Sequence, residues 1–248
     1  MFGIDVSKHN GFIDWSKVIK DPKDLKFAII RTGFGKEAQN QIDPQFENNY
    51  KGCKSNGLFV GAYHYSYAKT PEEARREAEF CSKIIEGKQF EFPIFFDIED
   101  IIQQTLSKGV CSDMVRAFCG VLESKGYWAG VYSYDAFYQT HLDNTIPKRY
   151  ATWVARVENI FPKCVDKPLV GIHQYSFKGS IAGIKGDVDL DQAFINYPES
   201  IRSAGKNNLS KPQKYTVSAV QSGLSFEKAN DVSAYLKKLG MSTQIKGE

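Results

Sequence analysis

The stretch Phe92-Pro93-Ile94-Phe95-Phe96-Asp97-Ile98-Glu99-Asp100 carries a strongly apolar strand straight into three acids. The apolar run is too short for a helix and nearly unbroken, the pattern of a strand buried on both faces in a parallel sheet wrapped by helices. On such a strand Asp97 and Glu99 share a face, with Cα atoms roughly 6.5 Å apart from the strand rise. Paired carboxylates at that spacing repel, so one can stay neutral and donate a proton while the other stays ionised. In parallel α/β folds the C-terminal end of a strand is the mouth where active sites form. An isolated D-x-E has a plainer use, capping a strand end or pairing with a lysine, so it has to be read with its surroundings.

Working outward, short apolar runs recur through the first 198 residues. Strand candidates are the opening Phe2–Val6, then Phe27–Arg31, Leu58–His64, Trp128–Ser133, Thr152–Ala155 and Gly171–Tyr175. Each is short, rich in aromatic or β-branched residues and mostly bounded by turn residues. Helical patterns lie between them. Thr70 reads as an N-cap with Pro71 in the first turn, Glu72 and Glu73 at the positive end of the dipole, and Gly87 as the stop. Residues 112–125 and 44–55 have the same character, ending near Gly126 and Gly57. Strand and helix alternating over this length predict an α/β fold, either a barrel or a doubly wound sheet. The pattern leaves both open.

The 248 residues are 42% hydrophobic and 25% charged, an ordinary globular composition. No apolar run approaches the ~18 residues that span a bilayer. The start lacks a basic segment followed by an apolar one, so no signal peptide is visible and a cytoplasmic origin is expected. Five scattered cysteines, none in a C-x-x-C pair, read as reduced structural thiols. The net charge of +3 is uneven: residues 199–248 carry eight Lys and Arg against four Asp and Glu, while the rest is close to neutral. A basic tail on a neutral body points to an anionic partner. The tail lacks arginine-aromatic interleaving, which argues against nucleic acid.

Other acids sit where Asp97 and Glu99 sit in their own segments. Asp5 ends the first strand, and Asp187, Asp189 and Asp191 alternate in one stretch. That triplet lacks the helix-loop-helix setting and terminal Glu of a calcium loop, so no metal is expected. Aromatics gather near strand ends: Phe34, Tyr63, Tyr65, Tyr132, Trp153 and Tyr175, with Gln174 beside the last. Aromatic walls bury the flat C–H faces of sugar rings, while polar edges orient hydroxyls. The four histidines lie on separate segments and read as structural. No G-x-S-x-G, Walker A or G-x-G-x-x-G motif is present, which removes the commoner serine hydrolases, P-loop enzymes and dinucleotide binders.

Taken in order, Gly3–Ser7, Ile29–Gly33, Val60–Tyr65, Asp97–Glu99, Gly130–Ser133, Trp153–Ala155, Gln174–Ser176 and Val188-Asp189 resemble glycoside hydrolase family 25, the lysozymes of phage endolysins and bacterial autolysins. The resemblance implies an irregular, TIM-like (β/α) barrel over residues 1–198. It also implies cleavage of the β-1,4 bond between N-acetylmuramic acid and N-acetylglucosamine in peptidoglycan, without a cofactor. By position Glu99 would be the general acid, and Asp97 the nucleophile or the stabiliser of attack by the substrate's own acetamido group. Asp5 and Asp189 would line the same groove, and Phe34, Tyr63, Tyr65, Tyr132, Trp153, Gln174 and Tyr175 would hold the glycan. Chitinases with a D-x-x-D-x-D-x-E strand are an alternative, but their upstream acids would fall at Phe92 and Phe95.

Residues 199–213 have a linker composition, rich in Ser, Lys, Asn, Gly and Pro. Residues 214–248 then read as a small β-α-β appendage, with strands at 214–221 and 241–245 around a helix from Phe226 to Leu239. Tyr215-x-Val217, Val220-Gln221-x-Gly223 and Leu239-Gly240 resemble the first half of a SPOR peptidoglycan-binding domain, which implies wall binding; the basic charge makes an anionic wall polymer the partner expected, and self-association is the other reading. A wall substrate without a visible export signal points to a phage product held in the host cytoplasm until released. The competing class is a non-catalytic wall-binding barrel, which has no need of both Asp97 and Glu99.

Overall fold

The structure, a computed structural model, describes residues 1–36, 38–157, 160–164, 166–212 and 225–239. It divides into two compact units, residues 1–211 and 212–248.

Eight strands close the first unit into a barrel in sequence order: β1 (Phe2–Val6), β2 (Phe27–Phe34), β3 (Phe59–Tyr65), β4 (Ile94–Asp97), β5 (Ala129–Tyr134), β6 (Ala151–Ala155), β7 (Ile172–Gly179) and β8 (Val188–Ala193). The first seven run parallel, while β8 pairs antiparallel with both β7 and β1. The barrel is therefore α/β but irregular. β8 follows β7 as a hairpin, with no helix between them, so this sector of the wall has no crossover helix.

Helices cross between consecutive strands from β1 to β6: α1 (Trp15–Val18), α2 (Phe46–Ser55), α3 (Pro71–Ile84), α4 (Lys108–Ser124), α5 (Asp135–His141) and α6 (Ile146–Arg149). α3 starts as its sequence dictates, with the Thr70 hydroxyl accepting from Glu73 N and Pro71 at the first turn. α4 begins four residues before the expected Ser112. Ser107 caps it by accepting from Val110 N, and its first turn, Lys108-Gly109, has no apolar residue to reveal it.

Two apolar layers result. One lies between sheet and helices, where Val60, Ala62, Ile94, Phe96, Met114 and Phe118 are fully buried. The other fills the barrel itself with aromatic rings. Phe92 stacks on Phe27 at 4.2 Å and lies 5.6 Å from Tyr197; above them Trp153 meets Phe95 at 5.3 Å, Tyr63 at 5.8 Å and Tyr132 at 4.3 Å. Rings this large fit only because facing positions are bare. A Cβ on Gly3 would lie 2.5 Å from the Phe27 ring, and one on Gly130 2.6 Å from Phe95. The ring column seals the barrel from its base up to Trp153, leaving the C-terminal mouth as the open end.

The base shows where the barrel unit ends. The stretch expected to be a linker from residue 199 is instead largely part of this unit. α7 (Tyr197–Ala204) buries Tyr197 and Ile201, and Leu209 is buried with them. Gly205 ends the helix in the left-handed conformation. Asn207, also left-handed, is fully buried: its Oδ1 accepts from Trp128 N at 2.6 Å and its Nδ2 donates to Phe92 O at 2.9 Å. Polar composition masked this segment because its side chains serve backbone groups rather than solvent.

In the second unit, helix α8 (Phe226–Lys238) forms where helical spacing placed it, capped by Ser225. The two strands expected beside it fall on residues outside those described.

Candidate active site

The strand ends at the mouth surround a cavity of about 400 Å³. It is lined by Asp5 from β1, Arg31 from β2, Tyr63 and Tyr65 from β3, Asp97 and Glu99 from the end of β4, Tyr132 from β5, Trp153 from β6, Gln174 from β7 and Asp189 from β8. All four candidate acids, and five of the seven proposed sugar-contacting residues, come together here from strands spread over more than 180 residues of chain.

Register explains the convergence. In the parallel ladder Tyr65 pairs with Asp97 and Asp97 with Tyr132, which sets the acid between two tyrosines. The antiparallel closure sets Asp5 opposite Asp189 and Gly3 opposite Asp191. Alternation along β7 turns Gln174 inward, and there it bridges two partners. Tyr132 Oη donates to Gln174 Oε1 at 2.7 Å, and Gln174 Nε2 donates to Asp5 Oδ2 at 2.7 Å. Trp153 Nε1 donates to Asp191 Oδ1 at 2.8 Å, so the ring that floors the cavity is also oriented by an acid.

Phe34 and Tyr175 do not line the cavity. Phe34 is the last residue of β2, beyond the register shift between Arg31 and Gly33, and it is not among the residues that line the cavity. Its ring lies 6.0 Å from Tyr67 and 5.8 Å from Lys8 Nζ instead. Tyr175 follows the inward Gln174, so the two-residue period points it out of the barrel, where its ring meets Phe2 at 6.5 Å.

Burial governs the protonation of the acids. Asp97 is buried, and desolvation, then repulsion from Glu99, push its carboxyl well above the ordinary range; Arg31 opposes this. Glu99 is half-buried. Desolvation raises it to about 7, against a hydrogen bond from Tyr134 that favours its charged form. Asp97 Oδ1 and Glu99 Oε2 are buried without a hydrogen-bond partner among the described residues. Two such acids a residue apart titrate as a pair and retain a proton near neutrality. A second pair stands across the cavity. Asp5 and Asp191 are both raised first by desolvation, Asp191 to about 8, and the charge of Asp191 raises Asp5 further. Burial likewise lifts Asp189 to about 6.

The mouth therefore offers a proton donor of near-neutral pKa, an adjoining carboxylate, a second proton-sharing pair and aromatic walls. That is equipment for protonating a leaving oxygen and stabilising positive charge on carbon.

The residues missed from sequence are Arg31, His9 and Asn10, which line the cavity, and Asp191, buried against its floor. Arg31 had a signal, being a lone cation at the end of an apolar strand. Its Nε donates to Asp43 Oδ2 at 2.7 Å, and the same oxygen accepts from Lys8 N, which fixes the loop bearing His9. His64 and His173 are structural. His64 is held between Thr32 Oγ1 and Gly35 O, and His173 Nε2 lies 2.6 Å from Arg156 O.

Comparison with known proteins accords with this geometry. The sequence matches the glycosyl hydrolases family 25 over residues 4–184. An autolytic lysozyme of Clostridium acetobutylicum is 31% identical over 192 residues, covering 77% of this chain and 55% of that protein, so the chain spans about half of that relative's length. The bacterial lysozyme of Streptomyces coelicolor superposes with a TM-score of 0.69 at 23% identity, over 85% of this chain and 98% of that one. The modular autolysin LytC of Streptococcus pneumoniae superposes at 0.65 and 26% identity, over 77% of this chain and 46% of that one. A family match spanning most of the barrel, on a closed eight-stranded sheet with paired acids at its mouth, shows that the chain belongs to the glycosyl hydrolases of family 25.

Proposed function

We propose that the chain is an N-acetylmuramidase that cleaves the β-1,4 bond between N-acetylmuramic acid and N-acetylglucosamine in peptidoglycan. The observation that carries this reading is Glu99, raised to about 7 on the cavity wall, beside the fully enclosed Asp97. Related names point the same way. The Clostridium relative is an autolytic lysozyme, and the LytC autolysin, 26% identical, has been solved with a synthetic peptidoglycan ligand.

In the proposed reaction the Glu99 carboxyl gives its proton to the glycosidic oxygen as the C1–O bond breaks, and positive charge develops on C1 and the ring oxygen. Asp97 stabilises that charge, either by bonding to C1 or by orienting the acetamido oxygen that does so. Glu99, now ionised, then takes a proton from the water that attacks C1, which restores both acids and retains the anomeric configuration. Asp5, Gln174 and Tyr132 form one hydrogen-bonded line across the cavity and hold the sugar against Trp153 and Tyr63. The biological setting that fits is a phage lysin released from the host cytoplasm onto the wall.

The test is chemical. Digested peptidoglycan should gain reducing ends without gaining free amines, and borohydride reduction should convert the new ends to muramitol. Glucosaminitol would move the cleaved bond to the other linkage. Binding without new ends would favour the non-catalytic barrel, and an inverted first product would exclude both retaining routes.

A further inference from the structure

A second cavity, of about 530 Å³, opens at the opposite end of the barrel, where β5 and β6 begin. It falls within the ~300–1,000 Å³ of small-molecule sites, and it shares no lining residue with the catalytic cavity. Trp128 and Tyr150, both half-buried, line it together with Lys148, Arg149, Lys206 and Glu123.

The charges there are already sorted. Arg149 donates to both Glu123 oxygens, at 2.8 and 2.6 Å, and its guanidinium lies 4.8 Å over the Tyr150 ring. That fork neutralises the acid and stiffens an aromatic wall. Lys148 and Lys206 have no carboxylate partner among the described residues. The cavity is therefore left with two free cations beside two aromatic faces. It is also held in shape. Asn207, next to Lys206, accepts from Trp128 N, donates through its side chain to Phe92 O, and donates its own N–H to Gly126 O at 3.0 Å. One buried residue thus ties the backbone that carries Trp128 to the backbone that carries Lys206.

We infer that this cavity is a second carbohydrate-binding site, for a pyranose bearing a free carboxylate, the acidic amino sugar of the wall glycan where its lactyl carboxyl carries no stem peptide. The aromatic faces bury the C–H surface of the ring, and the lysines pair with the carboxylate. Phosphate-bearing polyols match the charge but present no ring to the aromatic wall. Occupation of the base would hold the enzyme on the glycan while the mouth works elsewhere along it. Only the choice of sugar rests on the muramidase reading; binding at the base requires no turnover.

The three tryptophans allow both sites to be read in one titration. Trp153 lines the catalytic cavity, Trp128 the base cavity, and Trp15 neither. The full chain carrying Glu99→Gln, labelled with ¹⁵N, is titrated with N-acetylmuramic acid, and the indole signals are assigned with Trp128→Phe. The Trp128 indole should shift saturably. Adding Lys148→Ala and Lys206→Ala should weaken that response roughly tenfold, as expected for a lost charge-assisted contact, while the Trp153 response is unchanged. N-acetylglucosamine should shift Trp128 to a similarly reduced degree. A silent Trp128 beside a responding Trp153 overturns the base site, as does a lysine double variant that binds like its parent. A silent Trp153 beside a responding Trp128 instead counts against the catalytic reading and supports the base site.

Discussion

Asp5 and Asp189 stand directly opposite each other across the antiparallel seam that closes the barrel. They are 184 positions apart in sequence, and both carboxyls are raised above their ordinary range, first by burial. Closing the fold thus brings like charges together over a floor of aromatic rings, at a cost in stability that recurs around the whole mouth. Asp97, Glu99 and Asp191 are raised for the same leading reason.

The first expectation concerns stability and pH. A carboxyl raised in the folded state binds its proton more tightly there than in the unfolded chain, so its contribution is complete below the unfolded value and is lost as pH rises through the folded one. For Asp189, Glu99 and Asp191 the folded values are about 6, 7 and 8. Thermal unfolding should therefore move to lower temperature between pH 5 and pH 9. A Tm that rises across this range would show that the mouth acids are not protonated in the fold.

Glu99→Gln isolates one of these groups. The Glu99 carboxyl moves from 4.5 to about 7 on folding, so the variant should match the parent near pH 4 and exceed it above pH 7. A gain of about 2 kcal/mol at pH 8, roughly 4–8 °C in Tm, is expected for a half-buried group. Calorimetry at the two pH values measures the difference.

Catalysis should show the complementary limb. The proposed acid must hold its proton, so kcat should fall tenfold per pH unit above about 7 as Glu99 ionises. A pH–rate profile flat to pH 9 would place the donor elsewhere.

Gln174→Leu tests the line across the cavity. It leaves the Tyr132 hydroxyl and the Asp5 carboxyl without the partner they now share. A loss of about 1–3 kcal/mol is expected from the two orphaned groups. Activity should fall further than a two-state unfolded fraction accounts for. Denaturant titration alongside activity at 25 °C separates the two effects.

Asn207→Ala tests the base. Four hydrogen bonds converge on this residue, two through its side chain, and its φ of 56° is strained for alanine. A loss of about 3 kcal/mol is expected from two buried backbone groups left unpaired and from that strain. Truncation at 198, which removes the buried Ile201, Asn207 and Leu209, should abolish the barrel's cooperative unfolding.

The strand that opens the sequence reading was legible because its two signals agree: unbroken apolarity marks a doubly buried strand, and acids at its end mark the mouth. The barrel was implied by family resemblance rather than by periodicity, which left a doubly wound sheet open. β8 was missed although Val188-Asp189-Leu190-Asp191 alternates as a half-buried strand does, because its inward positions are acids and it lacks the unbroken apolarity of the other strands. Tyr175 was assigned to the cavity together with Gln174, although strand alternation allows only one of two neighbours to face inward. Phe34 was open to the same check, since it lies an odd number of residues from Arg31 and alternation from that inward residue does not bring it to the cavity. Asn207 was hidden in a polar segment whose purpose, serving the barrel's unpaired backbone groups, is visible only once those groups are located.

The most direct test of the central claim is the clearing of purified Gram-positive walls by the intact protein and by Glu99→Gln, at equal concentration and near pH 6. The account predicts clearing with new reducing ends by the intact protein, and a rate lowered about 10²–10⁴-fold in a variant that remains folded. Equal clearing by the two proteins would contradict it and remove Glu99 from the chemistry.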